Sequence, residues 1–398
     1  FMITFFGLWA CGAIDLSGEA AAQGGSIVRG LRNLAADIPE HVNSIGAEDS
    51  QAPFLEIFTG VLLLNVFYWC TNQQIIQRTL AASSLKEGQK GVLLCGLLKL
   101  IGPLYLVLPG IMAFFLFKHG AISPSSPAVV DEATGLLREA NAYGELVRTV
   151  LPPWLAGFFA AVMAGAVLSS FNSALNSTCT LCSLGIYKKL RPQAPDLTCV
   201  RAGKWFGLGI ALAAMTLSPM LDAVPSIFGY LQKMNSIYFI PILAVVLVGL
   251  VSRRAPQASA LVGLVGGVVL LSAGYFVLPR FQGLDVVDAM GEYHFVGACF
   301  LALTDLMLLV RLLAPRREPH SFADAKAVSL EPWKGAWIAS AALLLVILGI
   351  YAVFADFSVL RDAAGSYPFA RFFGRAVPAV VPTLVLLWLD RRLDRARS

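Results

Sequence analysis

Charged residues are scarce in this chain: Asp, Glu, Lys and Arg make up only 14% of it, whereas 57% of its residues are hydrophobic. Soluble domains carry roughly 25% charged residues. This scarcity excludes a soluble globular protein. The formal net charge is +5, and the basic residues form no concentrated patch of the kind that binds nucleic acid.

Histidine is equally sparse. The four histidines, His41, His119, His294 and His320, are far apart in sequence, so no metal or acid–base constellation is visible. Cys179-x-x-Cys182 has no second pair and does not predict a zinc or redox site. The remaining cysteines are interpreted as small buried hydrophobes. The sequence therefore predicts a protein that is not an enzyme.

Long apolar runs are abundant. A membrane helix needs about 20 apolar residues, and this criterion predicts an all-α integral membrane protein with about ten transmembrane helices. The predicted spans are 1–14, 54–72, 91–117, 153–176, 203–221, 225–251, 258–278, 291–313, 335–356 and 376–389. The chain starts inside the first apolar run, without a signal peptide, so we expect a truncated start.

The basic residues alternate between the connecting loops. Segments 73–90, 185–204, 252–257, 311–334 and 390–398 carry 19 Lys and Arg residues, and the loops between them carry 9. Because basic loops stay in the cytoplasm, this alternation predicts a multi-pass protein of the plasma (inner) membrane with a cytoplasmic C-terminus.

A polar motif lies near the end of the second predicted span. On a continuous helix, Asn65, Tyr68, Trp69 and Asn72 would fall at i, i+3, i+4 and i+7, on one face. A polar face in a membrane helix indicates a polar ligand. The alternative for Tyr68 and Trp69 is an aromatic belt at the membrane surface.

Three further positions place polar groups inside predicted spans. Lys99 lies eight residues into a span, where an ammonium is costly unless it faces a wet cavity or an ion-pair partner. Gln232 suits a hydroxylated solute, or an interhelical hydrogen bond. Ser169 and Ser170 follow a run of small residues and suit sodium, or bond back to their own helix.

The motifs resemble those of the sodium/solute symporter family, in its sodium/glucose branch. Asn65-x-x-Tyr68-Trp69 with Asn72-Gln73-x-x-x-Gln77-Arg78 resembles the sixth core helix and the loop after it. The motifs Leu98-Lys99-Leu100 with Pro103, Ala166-Val-Leu-Ser169-Ser170 and Tyr230-Leu231-Gln232 resemble the seventh, eighth and tenth helices. Gly229 departs from the family, where a second Gln is expected.

The resemblance implies a LeuT-type inverted-repeat core of ten helices that this chain enters at the fifth, so that the N-terminal helices would be missing. It implies one membrane transporter domain over 1–398, with 1–251 in the core and 252–398 as accessory helices. It also implies a sodium site made by Ser169, Ser170 and the carbonyl of Ala166, and a solute site made by Asn65, Tyr68, Trp69, Lys99 and Gln232.

The function expected from this resemblance is sodium-coupled symport of a small polyhydroxylated solute, a hexose first of all, by alternating access. The expected partners are the solute, the sodium ion and the lipid bilayer, with no nucleic acid; the oligomeric state is not predicted. Symport of inositol, an amino acid or a carboxylate remains an alternative, as does a membrane input module of a sensor protein.

Overall fold

The computed structural model describes residues 1–16, 25–48, 50, 52–131, 134–223, 226–281, 283–320, 328–361 and 365–397. Within these ranges the regular structure is helical, and β pairing is limited to isolated bridges such as the one between Val130 and Leu137. The predicted all-α class is therefore confirmed.

The described residues contain α-helices along the whole length of the chain. In chain order they are Met2–Cys11, Ile27–Asp37, Pro39–Val42, Gly60–Cys70, Gln73–Leu80, Leu85–Lys99, Gly102–Leu106, Leu108–Lys118, Glu139–Val150, Ala156–Thr180, Lys188–Leu190, Asp196–Leu217, Ile227–Val251, Gln257–Ser272, Val286–Met290, Glu292–Leu313, Ala336–Phe354 and Phe369–Arg397. Four of them recur below: the aromatic helix (Gly60–Cys70), the serine helix (Ala156–Thr180), the glutamine helix (Ile227–Val251) and the last helix (Phe369–Arg397).

Seven helical segments in the described part of the chain are long and apolar enough to cross a membrane. They are Pro153–Leu190, Asp196–Leu221, Ile227–Val251, Gln257–Arg280, Glu292–Leu313, Ala336–Phe354 and Phe369–Asp394. Each corresponds to one of the ten predicted spans, which confirms an integral multi-pass membrane protein. Three further spans, 1–14, 54–72 and 91–117, stay predictions.

Those three spans correspond to shorter apolar helices, Met2–Cys11, the aromatic helix and Leu108–Lys118. Proline explains the interruption of the span 91–117. Pro103 and Pro109 lack an amide hydrogen and clash with the preceding turn, so the segment is divided into Leu85–Lys99, Gly102–Leu106 and Leu108–Lys118.

The described helices form two compact units, each built from three separate stretches of chain. The first unit comprises Phe1–Ser44, Thr79–Ile227 and Leu330–Ala355, and the second comprises Ile45–Arg78, Phe228–Ser329 and Asp356–Ser398. The assignment of residues 1–398 to one transporter domain stays a prediction.

The core of the first unit joins Met2–Cys11 to Ile27–Asp37 and Leu108–Lys118. Its fully buried side chains include Leu34, Met112 and Phe115. At the end of Ile27–Asp37, the Asp37 carboxylate contacts two side chains. Lys118 Nζ and His119 Nε2 each lie 3.0 Å from its Oδ2. These contacts hold the pKa of Asp37 below its usual range.

The core of the second unit is formed by the glutamine helix, Gln257–Ser272 and Glu292–Leu313, with Ile240, Leu271 and Leu308 fully buried. Two of these helices approach closely at Gly267, where an ideal Cβ would lie 2.5 Å from the Pro241 ring. The missing side chain at Gly267 is therefore what allows the helices to pack at this distance.

Buried polar contacts join the last helix to the other helices of the second unit. Arg311, which is fully buried, forms ion pairs with Asp390 and Asp394. Asp305 accepts a hydrogen bond of 2.6 Å from Thr383. Asp305 and Arg311, both on Glu292–Leu313, are thus each bonded to the last helix.

Candidate functional site

The serine helix carries the three residues predicted to bind sodium. Ala166, Ser169 and Ser170 lie at i, i+3 and i+4, hence on one face, and all three are exposed. Towards the C-terminus of the helix the same face becomes buried, at Ser173 and Ser177. Small residues therefore form a continuous stripe along this face, and the two serines in its N-terminal half, Ser169 and Ser170, are exposed.

The hydroxyls of the serine helix differ in what they bond. Thr178 and Thr180 donate to the backbone carbonyls of Ala174 and Asn176, both at 2.9 Å. In the described structure neither Ser169 nor Ser170 forms such a bond to the carbonyl four residues earlier.

The donor set of the stripe is compatible with sodium. A hard cation prefers oxygen ligands, and a helix carbonyl such as that of Ala166 keeps a second lone pair after accepting its intrahelical hydrogen bond. Three oxygens alone are fewer than such a cation takes. Further oxygens would have to come from another segment or from water.

The aromatic helix carries three of the residues predicted to bind the solute. Asn65 is exposed and donates to the carbonyl of Val61 at 2.9 Å. The rings of Tyr68 and Trp69 meet edge to face, with centroids 5.4 Å apart. Trp69 is 36% exposed, and Tyr68 is partly buried, so this end of the helix presents an aromatic surface with one amide beside it.

The fourth member of the predicted motif does not share this face. The aromatic helix ends at Cys70, and Asn72 instead accepts a hydrogen bond of 3.0 Å from the amide of Gln74, at the start of the next helix. The expected i+7 position is wrong for Asn72, because this side chain caps a new helix.

The glutamine helix places Gln232 in a hydrogen-bonded pair. Its side-chain amide donates to the hydroxyl of Tyr293 at 3.3 Å, which is the interhelical bond considered as the alternative to solute binding. Tyr68 meets the same helix at Phe239, with ring centroids 6.2 Å apart. Phe239 lies seven residues beyond Gln232, about 10 Å along the axis.

Lys99 belongs to the first unit, as do the three sodium-site candidates. It is the last residue of Leu85–Lys99 and is exposed, directly before the break at Gly102-Pro103. A cation at the C-terminus of a helix is favoured by the negative end of the helix dipole. Asn65, Tyr68, Trp69 and Gln232 belong to the second unit.

Two residues that the sequence reasoning missed, Glu56 and Gly291, contribute to the start of the helix that carries Tyr293, the partner of Gln232. The Glu56 carboxylate accepts a hydrogen bond of 2.9 Å from the amide of Tyr293 and so caps the helix Glu292–Leu313. Gly291, at φ +87°, leaves the space for this carboxylate. The sequence did contain a signal for Glu56: an acidic residue inside an apolar run of a membrane protein indicates a specific partner.

The serine helix and the glutamine helix thus carry polar side chains within segments long and apolar enough to cross a membrane. A model of the sodium:solute symporter family matches residues 14–267, so the chain belongs to that family. This confirms the resemblance seen in the motifs.

Similarity to individual proteins agrees with this family membership. The chain is 37% identical over 360 residues to an uncharacterized symporter, YidK, of Escherichia coli, covering 89% of this chain and 57% of that protein. It is 36% identical over 213 residues to the sodium/glucose cotransporter of Vibrio parahaemolyticus (52% and 39%), and 31% identical over 282 residues to the sodium/myo-inositol cotransporter 2 of Bos taurus (68% and 42%).

The chain spans less than two thirds of each of these relatives. The family and its named members are transporters, which agrees with the expectation of a transporter and not an enzyme. The LeuT-type arrangement of the core stays a prediction.

Proposed function

We propose that this protein carries out sodium-coupled symport of a small polyhydroxylated solute, with a hexose as the first candidate. The observation that carries the proposal is membership of the sodium:solute symporter family, together with the similarity to a sodium/glucose cotransporter. The decisive experiment is uptake by the intact protein in vesicles across a panel of solutes, with sodium or choline outside. Equal uptake in both salts would refute sodium coupling.

Sodium is transported with the solute and is assigned to the serine helix. The hydroxyls of Ser169 and Ser170 and the carbonyl of Ala166 are its proposed ligands. Coupling requires that sodium bind one conformation of the transporter more tightly than the other. Bound sodium would then favour the state that accepts solute from outside.

We expect Ser169→Ala and Ser170→Ala each to raise the sodium concentration that gives half-maximal uptake, by about tenfold, which corresponds to the loss of about 1.4 kcal/mol of binding. Each substitution removes one oxygen ligand and little volume. The measurement is initial uptake against sodium concentration.

The matched control for these variants is Thr178→Ala. It lies on the same helix, but its hydroxyl is already engaged with the Ala174 carbonyl, so the sodium dependence should be that of the unmodified protein. If neither serine variant changes the half-saturating concentration, the serine pair is not the sodium site.

The solute is assigned to the aromatic surface and the polar groups described above. Asn65, Lys99 and Gln232 offer hydrogen bonds to hydroxyls, whereas Tyr68 and Trp69 offer flat apolar faces with polar edges, on which a sugar ring can stack. Tyr68 is proposed to serve also as the inner gate, so that its movement releases the solute in alternating access.

Inositol is the second candidate solute. The similarity to a sodium/myo-inositol cotransporter covers 68% of this chain, more than the 52% covered by the sodium/glucose cotransporter. A hexose and inositol present similar rings of hydroxyls, so one set of donors could serve both. Competition between labelled glucose and unlabelled myo-inositol distinguishes them.

The proposed location is the plasma (inner) membrane, with a cytoplasmic C-terminus. The prediction to test is that Ser83→Cys reacts with a membrane-impermeant maleimide only from the cytoplasmic side, and Ser123→Cys only from outside. Both positions are exposed in loops, on opposite sides according to the distribution of Lys and Arg. The background carries alanine at the cysteines that are not buried, namely Cys70, Cys95, Cys179 and Cys182.

Labelling of Ser83→Cys from outside in intact cells would contradict the proposed topology. The buried cysteines Cys11, Cys199 and Cys299 remain in the background, and the protein with only these three supplies the control for residual reaction.

A further inference from the structure

The second unit contains a cavity that none of the proposed solute residues lines. Its volume is about 830 Å³, within the usual range for ligand sites. It lies between the start of Glu292–Leu313, the start of the last helix and described residues of two nearby stretches, Gly46 with Glu48 and Pro53 to Leu63. Its polar lining residues, among those that the structure describes, are mainly charged: Glu48, Glu56, Asp288, Arg371 and Arg375, with Thr59 and His294.

The polarity of the lining changes in the same direction on each membrane helix. On Glu292–Leu313 the lining passes from His294 to Phe300, about 9 Å further along the helix. On the last helix it passes from Arg371 and Arg375 to Val380. Polar groups thus lie at the helix starts and apolar groups one to two turns deeper, which is the pattern of an amphiphile with its head at the membrane surface.

The charges at the polar end have both signs. Arg371 and Arg375 are one turn apart on an exposed face, and two guanidinium groups at this spacing suit a phosphate. Glu48 and Asp288 border the same cavity and suit an ammonium. Glu56 is excluded from this role because it caps the helix at Tyr293.

Aromatic rings surround this end of the cavity. Phe54 contacts Phe58 edge to face, with centroids 5.4 Å apart, and Phe372 lies 5.6 Å from the His294 ring. These phenylalanine rings give the charged end of the cavity an apolar wall, which continues along the helix surfaces at Phe300 and Val380.

We propose that this cavity is a phospholipid site selective for a zwitterionic headgroup that carries a primary amine, such as phosphatidylethanolamine. The arginine pair binds the phosphate, Glu48 and Asp288 accept hydrogen bonds from the ammonium, and an acyl chain lies along Phe300 and Val380. The site is independent of the sodium and solute sites, so its test does not depend on transport.

The test is lipid binding to the intact protein, purified in detergent and equilibrated with one of three phospholipids, with bound lipid counted by native mass spectrometry. Phosphatidylethanolamine should be retained above phosphatidylcholine, whose quaternary ammonium cannot donate hydrogen bonds, and above phosphatidylglycerol, which has no ammonium. Equal retention of the three lipids, or preference for phosphatidylglycerol, would overturn the proposal.

Two pairs of variants locate the site. Arg371→Gln/Arg375→Gln should weaken phosphatidylethanolamine binding about tenfold, or about 1.4 kcal/mol, whereas Arg391→Gln/Arg392→Gln, at the other end of the last helix, should leave it unchanged. Ala379→Trp should fill the cavity and reduce retention, whereas Val377→Trp, on the same helix but outside the lining, should not. Unchanged binding in both cavity variants would refute the site.

The acidic pair separates headgroup selectivity from general lipid binding. Glu48→Gln/Asp288→Asn should abolish the preference for phosphatidylethanolamine over phosphatidylcholine and leave phosphatidylcholine binding as it was. Preserved selectivity in this variant would refute the assignment of the ammonium.

Discussion

Replacement of Arg311 by methionine is expected to lower the free energy of unfolding by about 3–5 kcal/mol, the usual cost of removing one partner from a buried ion pair. The cost is high because Asp390, only 1% exposed, would keep its position without its cation. Asp390 would retain the hydrogen bond of 3.1 Å from Ser252, which cannot neutralise a charge. Chemical unfolding of the intact protein in detergent measures the change.

Two further variants make this result specific. Arg391→Met, which removes an exposed arginine from the last helix, should change stability by no more than about 1 kcal/mol. The double variant Arg311→Met/Asp390→Leu should recover much of the loss, because apolar replacement of a whole buried pair is often neutral. A double variant less stable than Arg311→Met alone would contradict the account.

The spanning helices could be predicted from the sequence because hydropathy and length are local properties. Seven predicted spans correspond to helical segments of spanning length. The segment that contains the serine helix continues through Leu181–Tyr187 to Leu190, about 14 residues past the predicted end at 176. The span 91–117 shows the limit of this reasoning. Hydropathy treats Pro103 and Pro109 as tolerable in an apolar run, whereas their missing amide hydrogens divide the helix.

Long-range partners could not be predicted in the same way. Glu56 caps a helix 237 residues away, and Thr383 bonds Asp305 across 78 residues. A single sequence carries no local pattern that relates such positions. The residues that bond to Asp305 and Arg311 both lie on the last helix.

The candidate site was identified by motif and not by geometry. Asn65, Tyr68 and Trp69 were expected on one helix, and they are there. Asn72 was assigned to the same face because helix periodicity was extended past Cys70, where the chain begins a new helix. Likewise, the resemblance assigned Gln232 to the solute and could not reveal that Tyr293 accepts its hydrogen bond.

The contact between Gln232 and Tyr293 makes the solute assignment testable. We expect Gln232→Leu and Lys99→Ala each to weaken solute binding by about 1–3 kcal/mol, because a hydroxyl that loses its partner inside a site stays unsatisfied. Sodium binding should change little, since its proposed ligands lie on the serine helix. Tyr68→Ala should impair transport by removing both the stacking surface and the gate.

The competing explanation is that Gln232 only joins two helices. In that case Tyr293→Phe, which removes the acceptor and little else, should reproduce the effect of Gln232→Leu. If Gln232 binds the solute, Tyr293→Phe should be much milder, because the amide remains available to hydroxyls. Lys204→Ala, which removes an exposed lysine elsewhere in the first unit, is the control for Lys99→Ala. Binding of labelled solute and of sodium to the purified variants decides: unchanged solute affinity in both Gln232→Leu and Lys99→Ala would remove the hexose assignment, while the family membership would stand.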